Sequence, residues 1–208
     1  MRRPQFIARQ AGRPSGLIGS VIAAIMVRES AETNRETFSA LHIQPGEHVL
    51  DVGCGSGHSI ELLVPLVAQG SVSGVDPSAI MVSRAQHRNA PTLPTSRVVI
   101  ETAAVEALPF VDETFDAVMS VHTAYFWPDF GRALTEIRRV LRPGGRLALT
   151  LRTTANVAAL ANFPREVYCF RSQSEIEEAF ETAGLEVVKS TPDGKNGEPA
   201  LILATRPD

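Results

Sequence analysis

Two cysteines, Cys54 and Cys169, are all that this 208-residue chain contains. That is too few for a disulfide framework or a Cys₄ zinc site, so reduced thiols in a cytoplasm are the expectation. Aromatic residues are also sparse, at 6% of the chain. No apolar run is long enough to span a bilayer. The one stretch that invites comparison with a secretory leader, Leu17–Val27, has no small-residue cleavage site before Arg28-Glu29; a helix that packs on the domain or covers its pocket is expected there. Charge of one sign is not in excess: 20 Lys+Arg stand against 23 Asp+Glu, a formal net charge of −3. This excludes a protein coated in nucleic acid, because counterion release needs clustered cations. Arg2, Arg3, Arg9 and Arg13 nevertheless precede every acidic residue. That basic arm has two readings, a solvated tail or a surface for an anionic substrate or lipid headgroup. Repeats, low-complexity tracts and linkers are absent, so one domain is expected, with a helical cap over 1–43 and a core over 44–208.

What is present is an alternation of strand and helix. Leu17–Arg28 and Glu32–Leu41 read as helices, and Gln44-Pro45-Gly46 as a turn. Strands are expected at His48–Val52, Ser71–Val75, Arg97–Ile100, Phe115–Val121, Arg146–Leu151, Leu185–Ser190 and Ala200–Ala204. Helices are expected over Ser59–Val67, Ser78–His87 and Gly131–Leu141, the last stopped by Pro143-Gly144-Gly145, and over Ser174–Ala183 with Ser174 as N-cap and Gly184 as stop. This predicts an α/β fold with a seven-stranded, mostly parallel sheet, helices on both faces and an antiparallel hairpin at the C-terminal edge. Ligands of such sheets bind at the carboxyl ends of the strands.

Most of the chemical information lies in Val49-Leu50-Asp51-Val52-Gly53-Cys54-Gly55-Ser56-Gly57. A buried strand runs into glycines spaced by two, which lets a ligand approach main chain that side chains would otherwise cover. A dinucleotide fingerprint needs a glycine where His58 stands, and no Tyr-x-x-x-Lys pair follows the fourth strand, so a nicotinamide oxidoreductase is the weaker alternative. Asp51 instead supplies an acceptor two places before the first glycine, suited to a cationic ligand group rather than a pyrophosphate. Asp76, in Gly74-Val75-Asp76-Pro77-Ser78, ends the second strand, where a carboxylate can accept both hydroxyls of a ribose.

This D-x-G-x-G-x-G arrangement resembles motif I of the class I S-adenosylmethionine-dependent methyltransferases, a Rossmann-like family. Glu106-Ala107-Leu108-Pro109-Phe110 with Phe115-Asp116-Ala117-Val118, and Arg138 to Leu147, resemble two further segments of it. The nearest subgroup is the small-molecule enzymes related to ubiquinone and menaquinone biosynthesis. The resemblance implies S-adenosylmethionine as cofactor, no metal, and cofactor contacts from Asp51, Gly53, Cys54, Gly55, Gly57, Asp76, Pro77, Met81, Ala104, Val105 and Val121. Met81 has a second reading as core, and His58 as either a contact to the cofactor carboxylate or a solvent-facing residue. Ala104 departs from the pattern, which has Asp or Asn there; the missing hydrogen bond is worth about 0.5–1.5 kcal/mol of cofactor affinity.

The methyl acceptor is expected at Ser120-Val121-His122-Thr123-Ala124-Tyr125-Phe126-Trp127-Pro128, the densest aromatic cluster in the chain. His122, Tyr125, Phe126 and Trp127 are the candidate acceptor-binding residues, with helix packing as the other reading for Phe126 and Trp127. His122 is the candidate base or orienting residue, and Tyr125 its candidate catalytic companion. Arg152–Phe170 and the N-terminal helices are expected to cap the pocket, with Phe6, Phe163 and Tyr168 lining it. The implied partner is a small-molecule acceptor (quinone, phenol, natural product) rather than nucleic acid, on a monomer or homodimer without stable membrane insertion. A phospholipid-type amine and a non-catalytic cofactor-binding subunit are the alternatives.

Overall fold

The computed structural model describes Phe6, residues 31–193 and residues 198–208. The expected helix at Leu17–Arg28, the arginine arm and Gly194 lie outside the described residues. Helix α1 runs over 31–41 and is followed by β1 (His48–Val52), α2 (His58–Leu63), β2 (Ser71–Asp76), α3 (Ala79–Arg88) and β3 (Val98–Thr102). Then come β4 (Phe115–Val121), α4 (Phe130–Val140), β5 (Leu141–Leu151), α5 (Val157–Asn162), α6 (Gln173–Thr182), β6 (Glu186–Thr191) and β7 (Ala200–Thr205). No helix among the described residues is long and apolar enough to cross a membrane.

The seven strands order as β3-β2-β1-β4-β5-β7-β6, parallel from β3 to β5 and antiparallel at β7 and β6. The sheet reverses direction of winding between β1 and β4, which opens a crevice beyond their carboxyl ends. Alternation along the strands sorts side chains to two faces. Leu50, Val118, Leu147 and Leu149 pack with Leu134 and Ile137 of α4 and with Ile176 and Phe180 of α6. Val49, Ala117, Met119 and Ala148 pack on the opposite face with Ile60 of α2, Val82 and Ala85 of α3, and Phe38 and Leu41 of α1. Helix α1 thus contributes Phe38 and Leu41 to this core layer, and Thr37 Oγ1 meets Thr150 Oγ1 at 2.8 Å, fixing α1 to β5.

Three local expectations are corrected. Helix α2 ends at Leu63 instead of Val67, because Pro65 has no amide with which to continue the helix. Pro143-Gly144-Gly145 does not separate helix from strand; it lies inside β5, whose pairing with β4 jumps from Phe115–Leu141 to Ala117–Arg146. Gly144 N–H donates to the Arg206 carbonyl and Arg206 N–H to the Gly145 carbonyl, at 2.8 and 2.9 Å, so this bulge is stitched to the chain after β7. The N-cap of α6 is Ser172, not Ser174: its hydroxyl accepts from Glu175 N–H while the Glu175 carboxylate accepts from Ser172 N–H. At the other end Gly184 takes φ 73°, and Leu185 N–H reaches the Phe180 carbonyl at 2.9 Å, the Gly-stopped closure expected there.

Candidate functional site

The glycine loop leaves β1 with Gly53, Gly55 and Gly57 all in the left-handed region, at φ 78°, 52° and 76°. Gly53 and Cys54 donate their amides to the Val75 carbonyl at 2.8 and 3.0 Å, tying the loop to β2. Two of the glycines are also required by space. A Cβ on Gly53 would lie 2.3 Å from Cγ2 of Thr123, and one on Gly57 would lie 2.8 Å from Cβ of Ala85. Around Gly55 nothing stands within 4 Å of that position, so this is the open side of the loop.

Two carboxylates flank the loop. Asp51 is 3% exposed, and its Oδ2 accepts from the Ser59 hydroxyl. Burial pushes its carboxyl up to about 7; the Ser59 hydrogen bond works against this rise and the neighbouring Asp76 adds to it. Asp76 accepts Gly55 N–H at 3.0 Å through Oδ2 and Ser78 N–H at 2.8 Å through Oδ1. It therefore shapes the loop from the end of β2. Cys54 offers backbone only: its thiol is buried against Gly74 and Ile60 and held well above the ordinary thiol range by burial and the two carboxylates. Met81, 2% exposed, is buried, whereas Pro77 beside Asp76 is exposed. Ala104 is exposed and Val105 sends its side chain into the core. His58 turns to Glu61 at 3.5 Å, and Glu61 pairs with Arg88 at 3.1 Å.

At the end of β4, Val121 is half-buried against the α1–α3 face, and His122 takes φ 58°, uncommon for a residue with a side chain. His122 N–H donates to the Thr150 carbonyl at 2.8 Å, and its Nδ1 lies 3.0 Å from the Tyr125 hydroxyl. That hydroxyl also accepts Arg152 N–H at 2.5 Å. Burial, reinforced by the Arg152 charge, pulls the His122 imidazole down to about 4, and burial raises the Tyr125 phenol. Tyr125 is buried among Phe126, Tyr168 and Phe170, with ring centroids 6.0, 5.8 and 5.2 Å away. Phe163 lies 4.8 Å from Tyr168 with the rings tilted at 53°, and Tyr168 lies 4.8 Å from Phe126, so the 152–170 segment meets the aromatics that follow β4. Trp127 belongs to the core instead, 6% exposed and stacked 5.7 Å from Phe130. Phe6 is exposed.

Several positioning residues escape sequence reading because they act across long separations. Thr123 packs under Gly53 and hydrogen-bonds Ser120, whose hydroxyl reaches the Val52 carbonyl at 2.9 Å. Asn89 donates to the Gly57 carbonyl at 3.1 Å. Arg139 on α4 grips the Leu108 and Phe110 carbonyls at 3.0 and 2.8 Å, while Glu136 accepts Leu108 N–H at 3.0 Å, so the 106–110 segment is held from one helix. Asp193 accepts from Thr153 N–H at 2.7 Å, from the Thr153 hydroxyl and from Asn156 Nδ2, which pins the start of the 152–170 segment. Only Asn89, four residues after Ala85 on the helix of the second βαβ unit, had a local signal: an amide side chain at a helix C-terminus.

The comparisons with known proteins fall on the same region. A family model described as a methyltransferase domain matches residues 50–149. Demethylmenaquinone methyltransferase of Lactiplantibacillus plantarum is 40% identical over 114 residues, 54% of this chain and 48% of that protein. The O-methyltransferase resE of Aspergillus sclerotiorum is 34% identical over 176 residues, 79% of this chain and 64% of that protein. The chain thus spans about half the length of the demethylmenaquinone methyltransferase it matches. Among solved structures, a chain from the complex of the Haloferax volcanii Trm112 methyltransferase activator with a methyltransferase superimposes with TM-score 0.80 and 22% identity, each chain covered over 100% of its length. Residues 50–149, which hold the glycine loop, both flanking carboxylates and most of β1 to β5, are thus a methyltransferase domain, and the resemblance of this stretch is to the class I S-adenosylmethionine-dependent methyltransferases.

Proposed function

We propose that this protein transfers the methyl group of S-adenosylmethionine to a small-molecule acceptor of the quinone, phenol or natural-product kind. The observation that carries the reading is the crevice at β1 and β2, where a left-handed glycine loop lies between Asp51 and Asp76. Its residues fit the cofactor. Gly55 leaves open space, and the loop's Ser56 hydroxyl is buried without a hydrogen-bond partner among the described residues. Asp51 would meet the ammonium, Asp76 the ribose hydroxyls, and the backbone at Ala104 and Val105 the adenine, with Cys54 contributing main chain only. The bound cofactor supplies an electrophilic methyl group on a sulfonium; the protein supplies alignment and a water-poor surface. His122 and the partly buried rings of Phe126 and Phe163 would receive the acceptor. The curated relatives' names, a menaquinone-precursor enzyme and an O-methyltransferase, support an oxygenated ring or a similar acceptor. The test is a thermal-shift comparison of S-adenosylhomocysteine with NAD, since ligand at 100 times its dissociation constant adds about 2.7 kcal/mol of stability. Stabilisation by S-adenosylhomocysteine alone is expected, and stabilisation by NAD alone overturns the reading.

A further inference from the structure

We propose that Tyr125 holds His122 as its Nε2–H tautomer, so that His122 donates a hydrogen bond to an anionic oxygen of the methyl acceptor, a phenolate or enolate, instead of removing its proton. This rests on the methyl-transfer reading for the identity of the acceptor, but not for the state of the histidine. The argument is a count of protons. A tyrosine hydroxyl has one hydrogen to give. The Tyr125 oxygen already accepts Arg152 N–H at 2.5 Å, and among the described residues its hydroxyl meets no other group than Nδ1 of His122, at 3.0 Å. The tyrosine hydrogen therefore goes to Nδ1. A neutral imidazole carries one hydrogen, and with Nδ1 accepting, that hydrogen is on Nε2. The nitrogen left to face a ligand then has a hydrogen to donate and no lone pair with which to act as a base. Burial and the nearby Arg152 keep the ring neutral through the working pH range.

The donor is held where it is needed. His122 is fixed by its left-handed backbone and by its amide bond to Thr150, and the next residue, Thr123, packs directly against Gly53 of the glycine loop. In the transfer, a lone pair of the acceptor's anionic oxygen forms the new O–CH₃ bond while the S–CH₃ bond breaks with its electron pair going to sulfur. The acceptor's proton has already passed to water, and none moves through His122. A donor at that oxygen raises the fraction ionised by more than it lowers nucleophilicity, as partial Brønsted sensitivity requires. Tyr125 is a positioning residue in this scheme, acting through the imidazole.

Nitrogen-15 spectra of the histidine rings, with His122→Ala for assignment, read the tautomer directly in protein with and without S-adenosylhomocysteine. A pyridine-like Nδ1 and a pyrrole-like Nε2 are expected in the wild type, relaxing toward a mixture in Tyr125→Phe. A pyrrole-like Nδ1 in the wild type overturns the proposal. The acceptor half is tested with para-nitrophenol, whose colour reports its ionisation, added to protein saturated with S-adenosylhomocysteine. Its bound pKa should fall below that of the free phenol. The fall should persist in His122→Asn, which keeps an N–H donor and tolerates the left-handed backbone, and should vanish in His122→Ala. A bound pKa raised above the free value, or no binding of the probe, overturns the phenolate assignment. Failure of S-adenosylhomocysteine to bind would instead sink the methyl-transfer reading and leave the tautomer result standing.

Discussion

On the β1–β2 side of the crevice the surface is main chain, drawn in by three left-handed glycines and fixed by amides that end on Val75 and Asp76. On the β4–β5 side it is side chain, a His122–Tyr125–Arg152 chain and a ring cluster brought from 163–170, with Asp193 reaching back 40 residues to Thr153. The first arrangement suits a ligand whose shape does not vary, because the backbone offers the same donors whatever the sequence around it. The second suits a ligand that changes from one relative to the next, because each ring can be replaced without refolding the strand beneath it.

Gly53→Ala should break the first side most severely. The methyl would have to displace Thr123 from 2.3 Å while holding φ 78°, costs of about 1–3 kcal/mol for overpacking and about 1–2 kcal/mol for the backbone. We expect at least a hundredfold loss of S-adenosylhomocysteine affinity by calorimetry, together with a lower Tm. Asp76→Ala should lose affinity on a similar scale, since it removes the proposed ribose acceptor and releases Gly55 N–H at once. Affinity within threefold of wild type would remove Asp76 from the cofactor site.

The Asp51 carboxyl gives the same side a pH dependence. With its pKa near 7 in the free protein, a cationic ligand group must first drive off a proton, so affinity for S-adenosylhomocysteine should rise about tenfold from pH 6 to pH 8. Stability runs the other way. A carboxyl raised on folding takes up a proton, so its contribution is fully present below the unfolded value of 3.8 and is lost as pH rises through 7. Asp51→Asn should flatten both curves. A pH-independent affinity in the wild type would place the ammonium elsewhere.

On the second side, Asp193→Ala should leave S-adenosylhomocysteine affinity within twofold of wild type, because no atom of Asp193 touches the glycine loop among the described contacts. It strands Thr153, which is 2% exposed, and should cost about 1.5–3 kcal/mol by denaturant midpoint. A loss of cofactor affinity comparable to that of Asp76→Ala would erase the distinction between the two sides.

This contrast also explains what could be read from the chain alone. The β1 strand, its glycines and Asp76 are neighbours in sequence, so spacing reports them, and strand alternation gave the sheet its seven members. The Asp193–Thr153 contact and the Arg139 grip on Leu108 and Phe110 leave no local trace, because each residue type is unremarkable at its own position. Trp127 shows the reverse failure. Aromatic residues serve cores and pockets alike, and only the packing on Phe130 decides for the core. The Tyr125 hydroxyl is a third case: its type suggested chemistry, whereas its bond to Arg152 N–H assigns it to holding His122.

The smallest effect is expected far from either side, at the start of α6. Ser172 and Glu175 satisfy two amides reciprocally, Ser172 half-buried and Glu175 exposed, and neither belongs to the core, so Ser172→Ala removes a cap without opening it. Loss of such a cap costs about 1 kcal/mol, which for a domain of this size lowers Tm by about 2–4 °C. Helix α6 packs on the covered face of the sheet through Ile176, Ala179 and Phe180, a contact that a frayed first turn leaves in place. Affinity for S-adenosylhomocysteine and the His122 tautomer should both be unchanged in Ser172→Ala. If either moved, the crevice would be coupled to the α6 face as a whole, and neither the cofactor side nor the acceptor side could be altered independently of global stability.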